Sequence, residues 1–188
     1  MSRMRIAISL LLLLLTGNMP CMSQTSQTGS YRFFNNFEDS ALNAEWMNGN
    51  TIEKSIDPAH NFISKTSGTN PYSSGIETEI PAGLKSKNFR VVVKGSIRCE
   101  AAAANNQVVI SIAKGDSSIF WSGEHIPDST GKANEWNVFL ATTLIPRSIP
   151  RDSRIKIFVW NADGKSETSI DDLDINFTEV KFPSFLPN

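Results

Sequence analysis

From Tyr31 onward, apolar side chains recur at every second position in run after run, the mark of strands with one buried face. Phe89, Val91, Val93 and Ile97 share one parity against Arg90, Lys94, Ser96 and Arg98, and Cys99 falls on the apolar side. Val108, Ile110 and Ile112 repeat the pattern, followed by a turn at Lys114-Gly115-Asp116-Ser117. The longest alternation is Trp136, Val138, Leu140, Thr142 and Leu144, ended by Pro146, and it predicts that Trp136 and its parity mates face the core. Ile155, Ile157 and Val159 follow, closed by the turn Asn161-Ala162-Asp163-Gly164. In the last regular run Leu173, Ile175 and Phe177 alternate, and carrying that parity backwards predicts Asp171 on the buried face, with Asp172 and Asp174 outward. A buried carboxylate must be paired, hydrogen-bonded or metal-bound, because an isolated buried charge is too costly.

Many short strands with turns between them, and no long stretch with a helical period, predict an all-β antiparallel sandwich. No internal repeat or low-complexity linker divides residues 31–188, which read as one domain. Ahead of it, residues 24–30 are polar and read as a disordered leader. Residues 1–23 have the form of a secretory signal peptide: Arg3 and Arg5, then an apolar run from Ile6 to Leu15 broken by Ser9, with Cys21-Met22-Ser23 before the expected cut. Cys21 invites a lipoprotein reading, but Asn18-Met19-Pro20 lacks the small residue expected just before a lipidated cysteine. The expectation is therefore a secreted, periplasmic or cell-surface protein with no membrane insertion after cleavage.

Charge narrows the partners. A formal net charge of -1 and a pI near 6.1 leave no basic footprint for nucleic acid or an anionic membrane. Cys99 is the one cysteine after residue 23, so no intramolecular disulfide is expected there, and its parity makes it a small buried hydrophobe.

Two distant segments then carry a resemblance. Phe34-Asn35-Asn36-Phe37-Glu38-Asp39 precedes Trp46 near the start; a tryptophan-led run from Trp136 to Pro146 and Ile170-Asp171-Asp172-Leu173 lie near the end. This order resembles the jelly-roll carbohydrate-binding modules of the galactose-binding-domain-like type, over about Phe33 to Phe177. The resemblance implies a jelly-roll sandwich whose first and last strands lie together, with Trp46 in the core. It also implies a structural Ca²⁺ beside those strands, held by Glu38 and Asp171 with Asp172 as a further ligand. Two converging carboxylates have a physical reason to want a cation between them; the alternative is that both accept backbone N–H bonds at the sandwich edge.

Aromatic residues are the binding candidates. On the Ile155, Ile157 and Val159 strand the opposite face carries Lys156, Phe158 and Trp160. Trp121 lies beside Glu124 and His125, and Tyr72 follows Asn70-Pro71 in a turn. Such side chains offer an apolar surface on which a sugar ring can stack. Trp160, Trp121, Tyr72 and Phe158 are thus the expected platform, with Glu124, Asn161 or Lys156 as hydrogen-bonding partners. An outer layer covering Phe158 and Trp160, such as the apolar tail through Phe182 and Phe185, is the competing expectation.

Catalysis finds little support. His60 and His125 stand apart from any nucleophile pattern, and no nucleophile elbow, zinc helix or phosphate-cradling loop is present. The carboxylate pairs Glu38 with Asp171, or Glu124 with Glu135, have no defined separation to suit glycoside hydrolysis. The sequence therefore predicts a non-catalytic module binding a polysaccharide or oligosaccharide. The alternative is an accessory module that docks to another exported protein and touches no sugar.

Overall fold

The computed structural model describes residues 29–101, 104–126 and 133–181. The signal-peptide reading, most of the proposed leader, and Phe182 and Phe185 lie outside the described residues. Ser30 already belongs to the first strand.

Among the described residues, ten strands form two antiparallel sheets. In chain order they are β1 (Ser30–Asn35), β2 (Ile52–Lys54), β3 (Phe62–Thr66), β4 (Ile76–Glu79), β5 (Phe89–Cys99), β6 (Asn106–Lys114), β7 (Ser117–His125), β8 (Asn137–Ile145), β9 (Arg154–Asn161) and β10 (Thr168–Glu179). The larger sheet runs β2-β3-β10-β5-β8, with β1 also paired to β10, and the smaller runs β4-β9-β6-β7. The expected all-β sandwich is what forms, and its first and last strands pair, Asn35 opposite Leu173 and Ser30 opposite Thr178. A short α-helix, α1 (Ser40–Glu45), follows β1, capped by Asp39, whose Oδ1 accepts from the N–H groups of Ala41 and Leu42.

The core lies between the sheets. Phe89, Val91, Val93 and Ile97 of β5 face Val108, Ile110 and Ile112 of β6 and Ile155, Ile157 and Val159 of β9, all essentially inaccessible. Trp46 joins this core and meets Phe37 edge-on, with ring centroids 6.3 Å apart. Cys99 is only partly buried, and its Sγ accepts from Asn106 Nδ2 at 3.2 Å.

Two parity expectations fail, each for a reason visible in the strand pairing. On β8 the buried residues are Phe139, Ala141, Thr143 and Ile145, whereas Val138, Leu140 and Leu144 are 64%, 65% and 48% exposed. Both parities of this strand are apolar, so alternation alone could not choose between them. The choice comes from β5, whose core-facing Phe89, Val91, Val93 and Gly95 pair with Ile145, Thr143, Ala141 and Phe139. Gly95 makes the room: a Cβ there would come within 2.8 Å of the Phe139 ring.

The second failure concerns β10. Its register against β5 shifts between Asp171, opposite Ser96, and Asp174, opposite Lys94. Three residues on β10 thus span two on β5, a β-bulge with Asp172 at φ 52°. The bulge reverses the parity. Leu173, Ile175 and Phe177 face the core as expected, but Asp171 shares the outer face with Ser169 and Asp174. Asp171 is nevertheless 4% exposed. What buries it is a loop.

Candidate functional site

That loop, residues 55–61, joins β2 to β3 and folds over the outer face of the larger sheet. Asp57 builds it locally. Its N–H donates to Ser55 Oγ at 3.0 Å, its Oδ1 accepts from Ala59 N–H at 3.0 Å, and its backbone carbonyl accepts from His60 N–H at 3.0 Å. The last two bonds make an Asx-type turn ahead of His60. The turn presents His60 to Asp171, with Nδ1 2.6 Å from Oδ2. Trp136 completes the closure: its indole Nε1 donates to Asp57 Oδ2 at 3.0 Å, and its ring stacks on the imidazole with centroids 4.0 Å apart. The Arg98 guanidinium lies 5.2 Å from the Trp136 ring centroid. Trp136 is therefore a partly buried clasp on the outer face and not the core residue that the parity predicted.

Burial pushes the Asp171 carboxyl above the ordinary carboxylate range. The bonds from His60 and from the Asp172 N–H, at 2.7 Å, oppose that shift, and the neighbouring Asp172 charge adds to it. The expected Glu38–Asp171 pair does not form. Glu38 is exposed and its Oε1 accepts from Phe62 N–H at 3.2 Å, the edge role that was the alternative for it. The donors that do converge, within 4.8 Å of one another, are His60, Asp171 and Asp172. Ca²⁺ wants six to eight oxygen ligands. One imidazole and two carboxylates, with Asp171 already bonded to His60 and to a backbone N–H, do not fit that ion.

Beside the loop lies a polar cleft of about 460 Å³, bordered by Glu53, Lys65, Arg98, Glu100, Glu167 and Ser169. Of its cations, Lys65 is engaged within the cleft, with Nζ 2.5 Å from Glu167 and 3.5 Å from Glu53.

The aromatic candidates gather elsewhere, on the outer face of the smaller sheet. Ladder pairing puts Trp160, Gln107 and His125 in one row, Phe158, Val109 and Gly123 in the next, and Lys156, Ser111 and Trp121 in the third. Residues 71–75 continue this sheet beyond β4. Ser73 N–H donates to Val159 O at 2.9 Å, and Tyr72 bridges to Trp160. The Tyr72 ring meets Phe158 edge-on at 5.5 Å and tilts toward Trp160 at 6.5 Å. Trp121 and Tyr72 are 56% and 45% exposed, while Phe158 and Trp160 are partly shielded by Tyr72 and by each other. Between Trp121 and Trp160 lie roughly 10 Å across the strands and 13 Å along them.

Gly123 and Gln107, which the sequence reading did not single out, shape this face. A Cβ on Gly123 would collide with Gln107 Oε1 and stand 2.5 Å from the Trp121 indole, so the six-membered ring of that indole lies against the glycine. Gly123→Ala is accordingly expected to lift the Trp121 ring while leaving stability nearly unchanged, because both displaced groups are flexible side-chain ends. Tryptophan fluorescence and a thermal melt check this; a lost melting transition with an unmoved emission maximum would contradict it.

Two expected hydrogen-bonding partners are not on this face. Glu124 pairs with Val108 and so points inward, where its Oε1 accepts from Ser122 Oγ at 3.1 Å and Thr143 Oγ1 at 3.4 Å. Asn161 is 1% exposed and spent on its own turn: Nδ2 donates to Ser166 O at 2.7 Å and Oδ1 accepts from Gly164 N–H at 3.2 Å. Lys156 is on the face, 3.4 Å from Glu77, whose other oxygen is 3.0 Å from Arg154. Burial works against the Glu77 charge, yet Arg154 and Lys156 hold its carboxyl below the ordinary range.

No family profile and no curated protein sequence matches the chain. Solved structures do. A CBM22-2 xylan-binding domain from Paenibacillus barcinonensis Xyn10C aligns at TM-score 0.52 and 15% identity, over 79% of this chain and 99% of that one. A xylan-binding domain from CBM 22 aligns at TM-score 0.50 and 14% identity, over 84% of this chain and all of that one. A longer Clostridium thermocellum xylanase 10B chain with CBM22-1 and GH10 modules aligns at TM-score 0.41 over 25% of its length. The chain has the jelly-roll β-sandwich fold of the carbohydrate-binding modules.

Proposed function

We propose that the protein is an exported, non-catalytic carbohydrate-binding module, and that its glycan lies on the outer face of the smaller sheet. The observation that carries this reading is the gathering of Tyr72, Phe158, Trp160 and Trp121 on one sheet face, from three separate stretches of sequence: residues 71–75, β7 and β9. Sugar rings present C–H groups to stack on aromatic planes and hydroxyls to nearby polar groups, here Gln107, Lys156 and Glu77. The spread of the aromatics favours several units of a chain over a single monosaccharide. Ca²⁺ has no place in this reading, because the donor set at Asp171 does not suit it.

Affinity electrophoresis through gels cast with xylan and other soluble polysaccharides tests the proposal. Retardation by at least one is expected, with the aromatic substitutions described below reducing it. Unretarded migration in every gel, with a cooperatively folded protein, would overturn it.

A further inference from the structure

We propose that β8 is a dimer interface, where a second copy of this chain adds its own β8 antiparallel about a two-fold axis at Ala141. Among the described residues β8 closes one edge of the larger sheet, and its nine residues pair with β5 in unbroken register. Asn137–Ile145 contains no charge, no proline and no glycine. Exposed, regular, apolar edges recruit further strands, and proteins normally blunt them.

Among the described residues the other edges are blunted. β2 has three residues, two of them Glu53 and Lys54. β4 has four, with Glu77 and Glu79. β1 carries Arg32, in an ion pair with Asp174 at 2.8 Å. The β6–β7 ladder is broken by a register shift between Ile112 and Ala113. β8 has none of these devices, and its outer row of Val138, Leu140 and Leu144 is about half to two-thirds exposed.

The strand is complementary to a second copy of itself. Pairing about Ala141 sets Val138 against Leu144 and Leu140 against Thr142 of the second copy, so each aliphatic meets an uncharged side chain. At both ends of the strand the same axis brings Glu135 of one copy toward Arg147 of the other. Opposite charges then flank an apolar centre twice over, which is what an isologous contact requires. An antiparallel pair formed this way keeps each sheet face on one side. The two aromatic faces would therefore look in the same direction, and a dimer could hold one polysaccharide surface at two points. That last consequence rests on the glycan reading; the dimer itself does not.

Sedimentation equilibrium of the full chain over a concentration series tests the interface. A mass approaching twice that of the chain is expected. Leu140→Lys, at an exposed position, should give the monomer mass with an unchanged circular dichroism spectrum, and Val138→Lys should repeat the result should Leu140→Lys not fold. Glu135→Arg or Arg147→Glu alone should weaken association, and the two together should restore it. A wild-type chain that stays monomeric throughout, or lysine variants that remain dimeric, would overturn the interface. Failure of the double exchange to restore association would overturn the axis at Ala141. Retention on insoluble polysaccharide should fall in Leu140→Lys while affinity for a short soluble oligosaccharide holds. A dimer that binds no sugar at all would count against the glycan reading and leave the interface standing.

Discussion

His60→Ala is expected to lower the free energy of unfolding by about 3 kcal/mol, the scale of taking a hydrogen-bond partner from a buried carboxylate. The pair is well shielded, with side-chain exposures of 17% and 5% for His60 and Asp171. Removing the imidazole strands a carboxylate that burial already disfavours and leaves it one short bond, from the Asp172 N–H. It also strips the stacked partner from Trp136. Asp171→Asn should cost less, because an amide can still accept from the Asp172 N–H and pair with Nδ1, and no charge is left buried. Urea unfolding followed by circular dichroism measures both. Equal losses in the two variants would mean that packing, and not the stranded charge, dominates.

The same pair sets a pH dependence with a definite sign. Because burial raises the Asp171 carboxyl, the folded chain keeps a proton there at pH values where the unfolded chain has released it. This group therefore weakens folding as pH rises from the ordinary carboxylate value through the raised one, and favours it as pH falls back. Asp171→Asn deletes that contribution. Wild type is thus expected to gain stability relative to the variant on acidification through that interval. Carboxylates held low elsewhere, Asp57 beside the Ala59 N–H and Glu179 beside Lys87, lose stability on acidification in both proteins and cancel from the comparison. A difference that is flat with pH would show that Asp171 titrates alike in both states.

Trp160→Ala is expected to weaken glycan binding by about 2 kcal/mol, roughly thirtyfold, the scale of a buried aromatic anchor. Trp160 is the better target for three reasons. Its backbone belongs to a central strand, so the ring is held by the sheet. Tyr72 is bridged beside it. Gln107 stands next to it on β6 as a hydrogen-bonding neighbour. Trp121→Ala, at an edge strand, should cost less. Isothermal titration with xylan oligosaccharides of increasing length, or with whichever polysaccharide retards the wild type, makes the comparison. Undiminished affinity in Trp160→Ala and Trp121→Ala together would move the glycan off this face. Unchanged melting temperatures are expected for both, since the core face of β9 is Ile155, Ile157 and Val159.

Much of the fold was legible in the chain, because period-two alternation needs only local sequence when one parity is apolar and the other polar. β5 is of this kind, and its buried face follows directly from Val91 and Val93; on β9 the aliphatic row Ile155, Ile157 and Val159 stands against a row that opens with Lys156. β8 shows where the rule stops: with Val138, Leu140 and Leu144 on one parity and Phe139, Ala141 and Ile145 on the other, nothing local breaks the tie. The site was half legible in the same way. That Lys156, Phe158 and Trp160 share a face follows from β9 alone, whereas the inward turn of Glu124 depends on the register of β7 against β6, which sets it opposite core-facing Val108. Asn161 was misread because a polar residue ending a strand looks like a surface group, while its amide is consumed by the Gly164 and Ser166 turn.

Asp171 separates the two levels of information most clearly. Its residue type and position required that it be partnered if buried, and that requirement follows from the cost of desolvating a charge. Which residue partners it did not follow. The bulge at Asp172 turns the strand over, a turn begun by Asp57 carries His60 in from over a hundred positions away, and Trp136 clasps it from the far edge of the sheet. A chain writes its strands and their faces in residues two apart. It writes its pairs and platforms in contacts between strands, and these exist only once register and bulge have been set.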